Sequence, residues 1–256
     1  MTVTDVNVVK SAIFERPDDA NKGTLGSLLC VCGSYGMAGA AVMSAKGALR
    51  TGIGLAKCAL PRSIYPIVAQ TILESVYYPL SENADGRISK VNVPFLVSES
   101  CKSSATLVGC GLGVCDDTLK IVFSFIENST TPLVLDADAL NCVAKQPEIL
   151  LRKKAPIIIT PHPGEMSRLT GLATPLVNAE RERVALDFAQ KYGVVTVLKG
   201  AGTVIASPNG KVLVNPTGNS GMATGGSGDV LAGMTASILA QGASPFSSAT
   251  AAVYLH

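Results

Sequence analysis

Residues 193–233 read GVVTVLKGAGTVIASPNGKVLVNPTGNSGMATGGSGDVLAG, and this stretch contains each kind of element that the fold requires. Residues 193–198 form an apolar run of strand length. Asn209-Gly210 lies between two short β-rich runs, which is the strongest short signal for a β-hairpin. A glycine-rich loop then leads into a helix predicted over 230–240, with Gly242 as its C′ residue. The stretch therefore predicts a buried strand, an antiparallel hairpin and a helix that begins at a glycine-lined loop.

The rest of the chain alternates short apolar strands with helices. Strands are predicted at 26–32, 55–60, 105–108, 132–135 and 156–160, and helices at 3–14 (with Thr4 as N-cap), 38–50, 118–127, 178–192 and 247–256. Mostly apolar strands separated by helices indicate an α/β protein, with a parallel sheet covered on both faces. A length of 256 residues is typical of one large α/β domain, so residues 1–256 are predicted to form a single domain.

Composition excludes several classes of protein. The chain has 21 Lys and Arg against 19 Asp and Glu, a net charge of +2, which argues against a broad basic field for nucleic acid and against a polybasic membrane anchor. We find no signal peptide and no apolar run long enough to span a membrane. The 7 cysteines form no Cys-x-x-Cys pair, and only 2 histidines are present. Reduced, mostly buried cysteines and a cytoplasmic location are therefore expected.

The glycine-rich loop is the strongest candidate for a binding site. Residues 221–228 contain four glycines, which allow successive backbone N–H groups to face inward as an anion-binding nest. The following helix adds the positive end of its dipole. The two common glycine-rich nucleotide fingerprints are absent from the other glycine loops, 33–40 and 109–113. The sequence therefore predicts a loop that stabilises a phosphate or a developing phosphoryl charge without a P-loop lysine.

Asp229 lies at the rim of this nest, in the first turn of the predicted helix. One interpretation is a carboxylate that only complements the helix dipole. The alternative is a general base that accepts a proton from a hydroxyl as its oxygen attacks phosphorus. A carboxylate beside a phosphate-holding loop favours the general base.

Three further segments leave alternatives open. His162 stands between Pro161 and Pro163 and is interpreted either as structural or as catalytic. Asp136, Asp138 and Asn141 follow a strand and could hold Mg²⁺ through water, although capping of the next helix is somewhat favoured. Residues 199–203 are either a plain turn into the hairpin or part of a binding site.

Seven motifs together resemble the ADP- or ATP-dependent NAD(P)H-hydrate dehydratases, a branch of the ribokinase-like superfamily. The resemblance runs from about Lys22 onward, and TPHPGE separates this branch from sugar and vitamin kinases. The motifs are GSYGMAGA (33–40), ALRTGIGL (48–55), GCGLG (109–113), LDADALN (135–141), TPHPGE (160–165), LKGAGT (198–203) and NSGMATGGSGDVLAG (219–233).

The resemblance implies a three-layer α/β/α ribokinase-like fold and a metabolite-repair reaction. The S-epimer of hydrated NADH or NADPH would be phosphorylated on its ring hydroxyl by ADP, and loss of phosphate would regenerate the dihydronicotinamide and leave AMP. ADP is favoured over ATP because the sequence resembles the stand-alone bacterial members. Mg²⁺ is expected near the phosphates, without protein metal ligands of its own.

The resemblance also assigns roles to individual residues. Asp229 would be the base and would contact the hydrated nicotinamide, together with Ala40, Gly113 and His162. Gly225, Gly226, Ser227 and Gly228 would form the anion hole, with Gly228 also touching the nucleotide. The nucleotide site would be lined by Lys199, Gly200, Ala201, Gly202 and Thr203.

Two departures from the family pattern affect edge contacts rather than the base. Asn21 stands where the family usually has His before Lys-Gly, and Cys110 stands where it usually has Pro. No epimerase domain is expected here, so a separate epimerase would supply the S-epimer, and the family suggests a homotetramer. The rival functions are a thiazole or pyrimidine kinase, which would release a phosphorylated product, and a non-catalytic nucleotide-binding protein.

Overall fold

The computed structural model describes residues 3–13 and 15–256 (Ser11 by its backbone alone), and nine strands of this part form one sheet. The strands are β1 Ser27–Val31, β2 Leu55–Pro61, β3 Val76–Leu80, β4 Ala105–Val108, β5 Leu133–Leu135, β6 Ile157–Ile159, β7 Val195–Leu198, β8 Val204–Ala206 and β9 Val212–Val214. The helices are α1 Val6–Ala12, α2 Ala38–Arg50, α3 Tyr65–Thr71, α4 Val93–Cys101, α5 Asp116–Asn128, α6 Asp138–Val143, α7 Pro163–Thr170, α8 Thr174–Ala179, α9 Arg181–Tyr192, α10 Ser227–Ala240 and α11 Pro245–Leu255. Within the described residues, no helix combines the length and apolarity that crossing a bilayer requires.

The sheet is parallel except at one edge. Its order is β3-β2-β1-β4-β5-β6-β7-β8-β9, and every pair from β3 to β7 is parallel, whereas β8 and β9 are antiparallel to their neighbours. The Asn-Gly turn closes the hairpin, where the N–H of Ser207 donates to the carbonyl of Lys211 (2.8 Å). The predicted parallel sheet with an added hairpin is confirmed.

Alternate residues of each strand face two separate hydrophobic cores. In β1, Leu28 and Cys30 pack with α1, α2, α3, α10 and α11, whereas Leu29 and Val31 pack with the helices α4 to α9. This alternation follows from the period of two in an extended strand, and both faces are apolar because both are covered. The predicted three-layer α/β/α arrangement is confirmed.

The direction in which strands are added reverses between β1 and β4. At the carboxyl ends of these strands, the loop after β1 meets the loop after β4: the N–H of Gly33 donates to the carbonyl of Cys110, and the hydroxyl of Ser34 donates to the carbonyl of Gly111, both at 2.8 Å. Ligands of open parallel sheets bind at such an edge. The loops after β5, β6 and β7 continue along the same edge.

Several helix boundaries differ from the prediction, and three of the differences have a clear structural cause or consequence. Thr4 is not the N-cap of α1: its buried hydroxyl donates to Asn215 Oδ1 (2.8 Å), and Asp5 caps the helix instead. The predicted helix 178–192 is two helices, α8 and α9, because Glu180 departs from helical geometry between them. Helix α10 begins at Ser227, three residues earlier than predicted. Of the predicted first helix, Phe14 lies outside the described residues.

The cysteines are free thiols, as predicted, and most of them are buried. Cys30, Cys32 and Cys58 lie in the first of the two cores, and Cys142 lies in the second. Cys101 is exposed.

Candidate active site

A buried ion pair joins the ends of three neighbouring strands. Asp136 directly follows β5 and is only 1% exposed. Its Oδ1 accepts hydrogen bonds from Thr160 Oγ1, which follows β6, and from Lys199 Nζ, which follows β7, both at 2.7 Å. Parallel strands bring their carboxyl ends to one edge of the sheet, so side chains far apart in the sequence meet here.

The expectation that Asp136 and Asp138 cap α6 is wrong. The N-cap is Ala137, which has φ 49° and ψ −116° and makes no side-chain capping bond. Asp138 instead accepts from the N–H of Gly113 (2.8 Å) and thereby ties the loop after β4 to the start of α6. The carboxylate of Asp136 is held by Thr160 and Lys199, which the sequence analysis did not connect. A usable signal was present, since Asp136 and Thr160 each directly follow an apolar strand.

Lys199 is charged and faces two carboxylates. Burial by itself lowers the pKa of Lys199, but the negative charges of Asp136 and Glu165 outweigh this and raise the pKa above its ordinary value. The ammonium lies 2.7 Å from Asp136 Oδ1 and 3.9 Å from Glu165 Oε2. A Cβ placed on Gly228 would lie 3.3 Å from Lys199 Nζ, so the ammonium also borders the first turn of α10.

The first turn of α10 has the geometry that an anion site requires. Within the part of the chain that the structure describes, the backbone N–H groups of Gly225, Gly226 and Gly228 have no hydrogen-bond partner. Gly226 is the N-cap and has φ 92°, and a Cβ there would collide with the sulfur of Met43. Unpaired N–H groups at a helix start attract negative charge.

Asp229 is half-buried in the first turn of α10, as the sequence analysis expected. Burial and, to a smaller extent, the Asp136 carboxylate raise the pKa of Asp229 to about 6, against the lowering effects of Cys110 and Lys199. A carboxylate with a pKa near 6 is mostly ionised at neutral pH and still has appreciable affinity for a proton. This combination suits a general base.

The residues around Asp229 do not fit a protein-held Mg²⁺ site. Ligand atoms of Cys110, Asp136 and Asp229 lie within 4.8 Å of one another. However, the neighbouring Cys32 thiol and burial raise the pKa of Cys110 well above its ordinary value, so it is a protonated thiol. Asp136 is already engaged by Lys199 and Thr160. Mg²⁺ prefers oxygen ligands in an octahedral arrangement, which this group does not supply.

A cavity of about 590 Å³ opens beside this turn, between the start of the hairpin, the loop before α10 and α11. All the residues predicted to bind the nucleotide line it: Lys199, Gly200, Ala201, Gly202, Thr203 and Gly228. Ser227 and His256 also line it, and burial lowers the pKa of His256. Arg181 supports the wall from behind, because it donates to the carbonyl of Leu198 (2.8 Å) and packs against Gly200.

His162 has a structural role as the N-cap of α7. Its Nδ1 accepts from the N–H groups of Gly164 (3.0 Å) and Glu165 (3.3 Å), and Glu165 Oε2 accepts from the N–H of His162 (2.8 Å). Burial lowers the pKa of His162, so the ring is neutral at pH 7, and an accepting Nδ1 assigns its hydrogen to Nε2. Burial raises the pKa of Glu165 to about 7 against the effect of Lys199.

Three residues predicted to touch the substrate lie outside the nucleotide cavity. Ala40, at the start of α2, is 3% exposed and packs beside Gly111. Gly113 lies in the loop after β4 and contacts Arg87. His162 keeps about half of its side chain exposed. These residues follow or adjoin β1, β4 and β6, whereas the cavity lies beyond β7, and their contact with a substrate stays a prediction.

The fold and this site define a class, the ribokinase-like proteins. A ribokinase-like superfamily protein from Enterococcus faecalis superposes with a TM-score of 0.85 at 25% identity, covering 100% of this chain and 85% of that one. The family described as NAD(P)H-hydrate dehydratase matches residues 28–256, and the chain belongs to this family.

Two relatives illustrate the similarity. The ADP/ATP-dependent NAD(P)H-hydrate dehydratase of Bacillus subtilis, co-crystallised with ATP and Mg²⁺, has a TM-score of 0.84 and 32% identity, covering 100% of this chain and 87% of that one. The bifunctional NAD(P)H-hydrate repair enzyme of Moorella thermoacetica is 38% identical over 247 residues, covering 96% of this chain and 47% of the relative. The chain thus spans about half the length of this bifunctional relative.

Proposed function

We propose that this protein is an ADP-dependent lyase that dehydrates the S-epimer of hydrated NADH or NADPH and yields the reduced cofactor, AMP and phosphate. The observation that carries the proposal is the position of Asp229. Its carboxylate stands in the first turn of α10, next to a cavity large enough for a nucleotide and beside N–H groups that have no partner among the described residues. Membership in the NAD(P)H-hydrate dehydratase family supports the choice of substrate.

In this proposal each group at the edge of the sheet has a separate task. Residues 199–203 hold ADP in the cavity, and the N–H groups at the start of α10 stabilise the charge of the phosphoryl group as it moves. Asp229 accepts the proton of the ring hydroxyl as that oxygen attacks phosphorus. Phosphate then leaves the ring carbon with the former hydroxyl oxygen, the adjacent ring carbon loses a proton, and the double bond of the dihydronicotinamide forms between these two carbons.

The proposal extends to cofactor and partners. Mg²⁺ would accompany the nucleotide and be held by phosphate oxygens and water, because the nearby side chains do not form a site for it. A separate epimerase would supply the S-epimer, and the protein would act in the cytoplasm as a homotetramer.

A coupled assay tests the proposal. Purified protein is mixed with hydrated NADH or hydrated NADPH and with ADP or ATP, and the dihydronicotinamide absorbance is followed while AMP and phosphate are quantified. Growth of absorbance with equal amounts of AMP and phosphate from ADP is the expected result. A stable phosphorylated product without recovered NADH would identify a kinase instead, and ADP binding without turnover would identify a non-catalytic binding protein.

A further inference from the structure

We propose that Asp136 is a positioning residue for phosphoryl transfer, and that it acts by holding the Lys199 ammonium against the start of α10. The proposal rests on the function proposed above. The sequence analysis considered two roles for this carboxylate, metal binding and helix capping. The structure excludes the second of these roles for Asp136 and shows a different set of partners.

The backbone holds Asp136 in one place. Its N–H donates to the carbonyl of Val108 (3.1 Å), and its own carbonyl packs so closely on Gly109 that a Cβ there would collide with it. The next residue, Ala137, has φ 49°, and it alone among the described non-glycine residues has a positive φ. Strained backbone persists only where surrounding contacts over-determine it, and such positions cluster at functional sites.

The carboxylate is oriented as well as placed. Thr160 Oγ1 and Lys199 Nζ both donate to the same oxygen, Oδ1, at 2.7 Å, and the side chain is almost fully buried. Two donors on one oxygen fix the plane of the carboxylate. The direction of the Lys199 ammonium is therefore set by the residues that follow β5 and β6 rather than by its own strand.

Lys199 needs such a partner. A lysine ammonium is a point charge on a flexible four-carbon stem, so its position depends on what holds it. Here the side chain is 18% exposed, lines the nucleotide cavity and borders Gly228. With Asp136 neutralised, the nearest remaining carboxylate is Glu165, at 3.9 Å, and it would draw the ammonium toward α7. A phosphoryl group at the start of α10 would then lose a nearby positive charge.

Steady-state kinetics of three variants test this assignment. Asp136→Asn is expected to lower kcat by about 10- to 100-fold, less than the roughly 10²- to 10³-fold for direct loss of one transition-state contact, because Asp136 acts only through Lys199. The affinity for ADP, measured by calorimetry, should change by less than about threefold, because Lys199 is the one lining residue of the cavity that is expected to move, whereas residues 200–203 stay in place. Lys199→Met should lower kcat at least as much. In the double variant, Asp136→Asn should lower kcat by less than about a further threefold relative to Lys199→Met alone, because the effects of residues that act as a unit are not additive.

Two further variants separate positioning from folding. Asp187→Asn removes an exposed carboxylate on α9 and should leave kcat unchanged. Should Asp136→Asn fail to fold, Thr160→Val keeps the carboxylate and removes one of the two donors to Oδ1. It should lower kcat by about three- to tenfold at unchanged ADP affinity.

The outcomes distinguish this inference from the proposed function. Wild-type protein without turnover would reject the proposed function. If the wild-type protein is active and Asp136→Asn is equally active, the positioning role is overturned. If Asp136→Asn does not fold, an unchanged kcat in Thr160→Val overturns it instead. Effects of Asp136→Asn and Lys199→Met that multiply in the double variant would show that Asp136 does not act through Lys199, and this too would overturn the inference.

Discussion

At the scale of single residues, the environment of Asp229 shows why a helix start can serve as a site for acid–base chemistry. The same carboxylate is stabilised by the helix dipole and opposed by burial and by the negative charge of Asp136. The effects of burial and of Asp136 outweigh that of the helix dipole, so the pKa of Asp229 is raised to about 6. Ionised Asp229 is therefore a reactive base that the fold holds at some cost in stability.

The Asp229→Asn variant should lose activity and gain stability. Turnover is expected to fall by about 10²- to 10⁴-fold because the amide cannot accept the proton, while ADP affinity is retained. A raised folded-state pKa means that the cost of ionisation builds as pH rises from about 4 to about 6 and is constant above. Chemical unfolding should therefore show the variant more stable by about 1 kcal/mol at pH 8, allowing for partial exposure, and equal to wild type near pH 4. Wild-type turnover in this variant would show that Asp229 is not the base.

At the scale of secondary structure elements, α7 shows how one residue can serve two purposes. His162 caps the helix through Nδ1, its Nε2 lies 3.5 Å from Glu165 Oε1, and about half of the side chain is exposed. The two prolines that bracket it in the sequence set the direction of the chain into the helix. The structural role is observed, and the substrate contact is compatible with it because the two nitrogens are different atoms.

Substitution at His162 can separate these two roles. His162→Ala removes the cap and should lower the free energy of unfolding by about 1 kcal/mol. His162→Asn supplies another good N-cap and should restore most of that stability. If Nε2 contacts the hydrated nicotinamide, His162→Asn will still raise the KM for the hydrate. A KM equal to that of wild type in a stable His162→Asn variant would leave only the structural role.

The start of α10 allows a second comparison, between two adjacent glycines. A Cβ on Gly225 meets nothing within 4 Å, whereas Gly226 has φ 92° and no room beside Met43. Gly225→Ala should therefore change stability by less than about 0.5 kcal/mol but lower turnover at least about tenfold, because the methyl group occupies the space before the N–H groups. Gly226→Ala should cost about 1–3 kcal/mol in stability. Thermal unfolding and kinetics of both variants check this contrast, and full activity in Gly225→Ala would contradict it.

At the scale of the whole molecule, the nucleotide cavity lies between elements that are far apart in the sequence. Residues of the turn after β7, of the loop that follows β9, of α10 and of α11 all line it. A ligand there joins the antiparallel edge of the sheet to the helices of one face. Binding of ADP should thus stabilise the entire domain rather than one segment.

Thermal unfolding in the presence of ADP measures this effect. At a concentration about 100 times Kd, ADP should add about 2.7 kcal/mol, which raises Tm by about 5–10 °C in a chain of this size. Ala201→Trp fills the cavity and should abolish the shift. Leu73→Trp, at a residue 83% exposed and outside the cavity, should retain it. A shift of equal size in Ala201→Trp would place the nucleotide elsewhere.

Much of this protein could be predicted from local sequence because its signals are local. Apolar runs of strand length, the Asn-Gly turn and the glycine-rich loop each depend on a few neighbouring residues, and they predicted the parallel sheet, the hairpin and the position of Asp229. Residues 61–104, with β3 and two helices, lack such clear periodicity, and no element was predicted there. Boundaries were less certain, because a contact such as that of Thr4 with Asn215 replaces the local capping preference.

The sequence by itself determined the layers, the hairpin and the loop that begins α10, because hydrophobic period and glycine content act over a few residues. Only the tertiary structure decided that Asp136, Thr160 and Lys199 share one buried oxygen and that a cavity opens beside Gly228. These features join residues 24 to 63 positions apart or several distant elements, and no short pattern encodes which loop ends meet. The physical reason is the parallel sheet, which places the ends of successive strands side by side regardless of the length of chain between them.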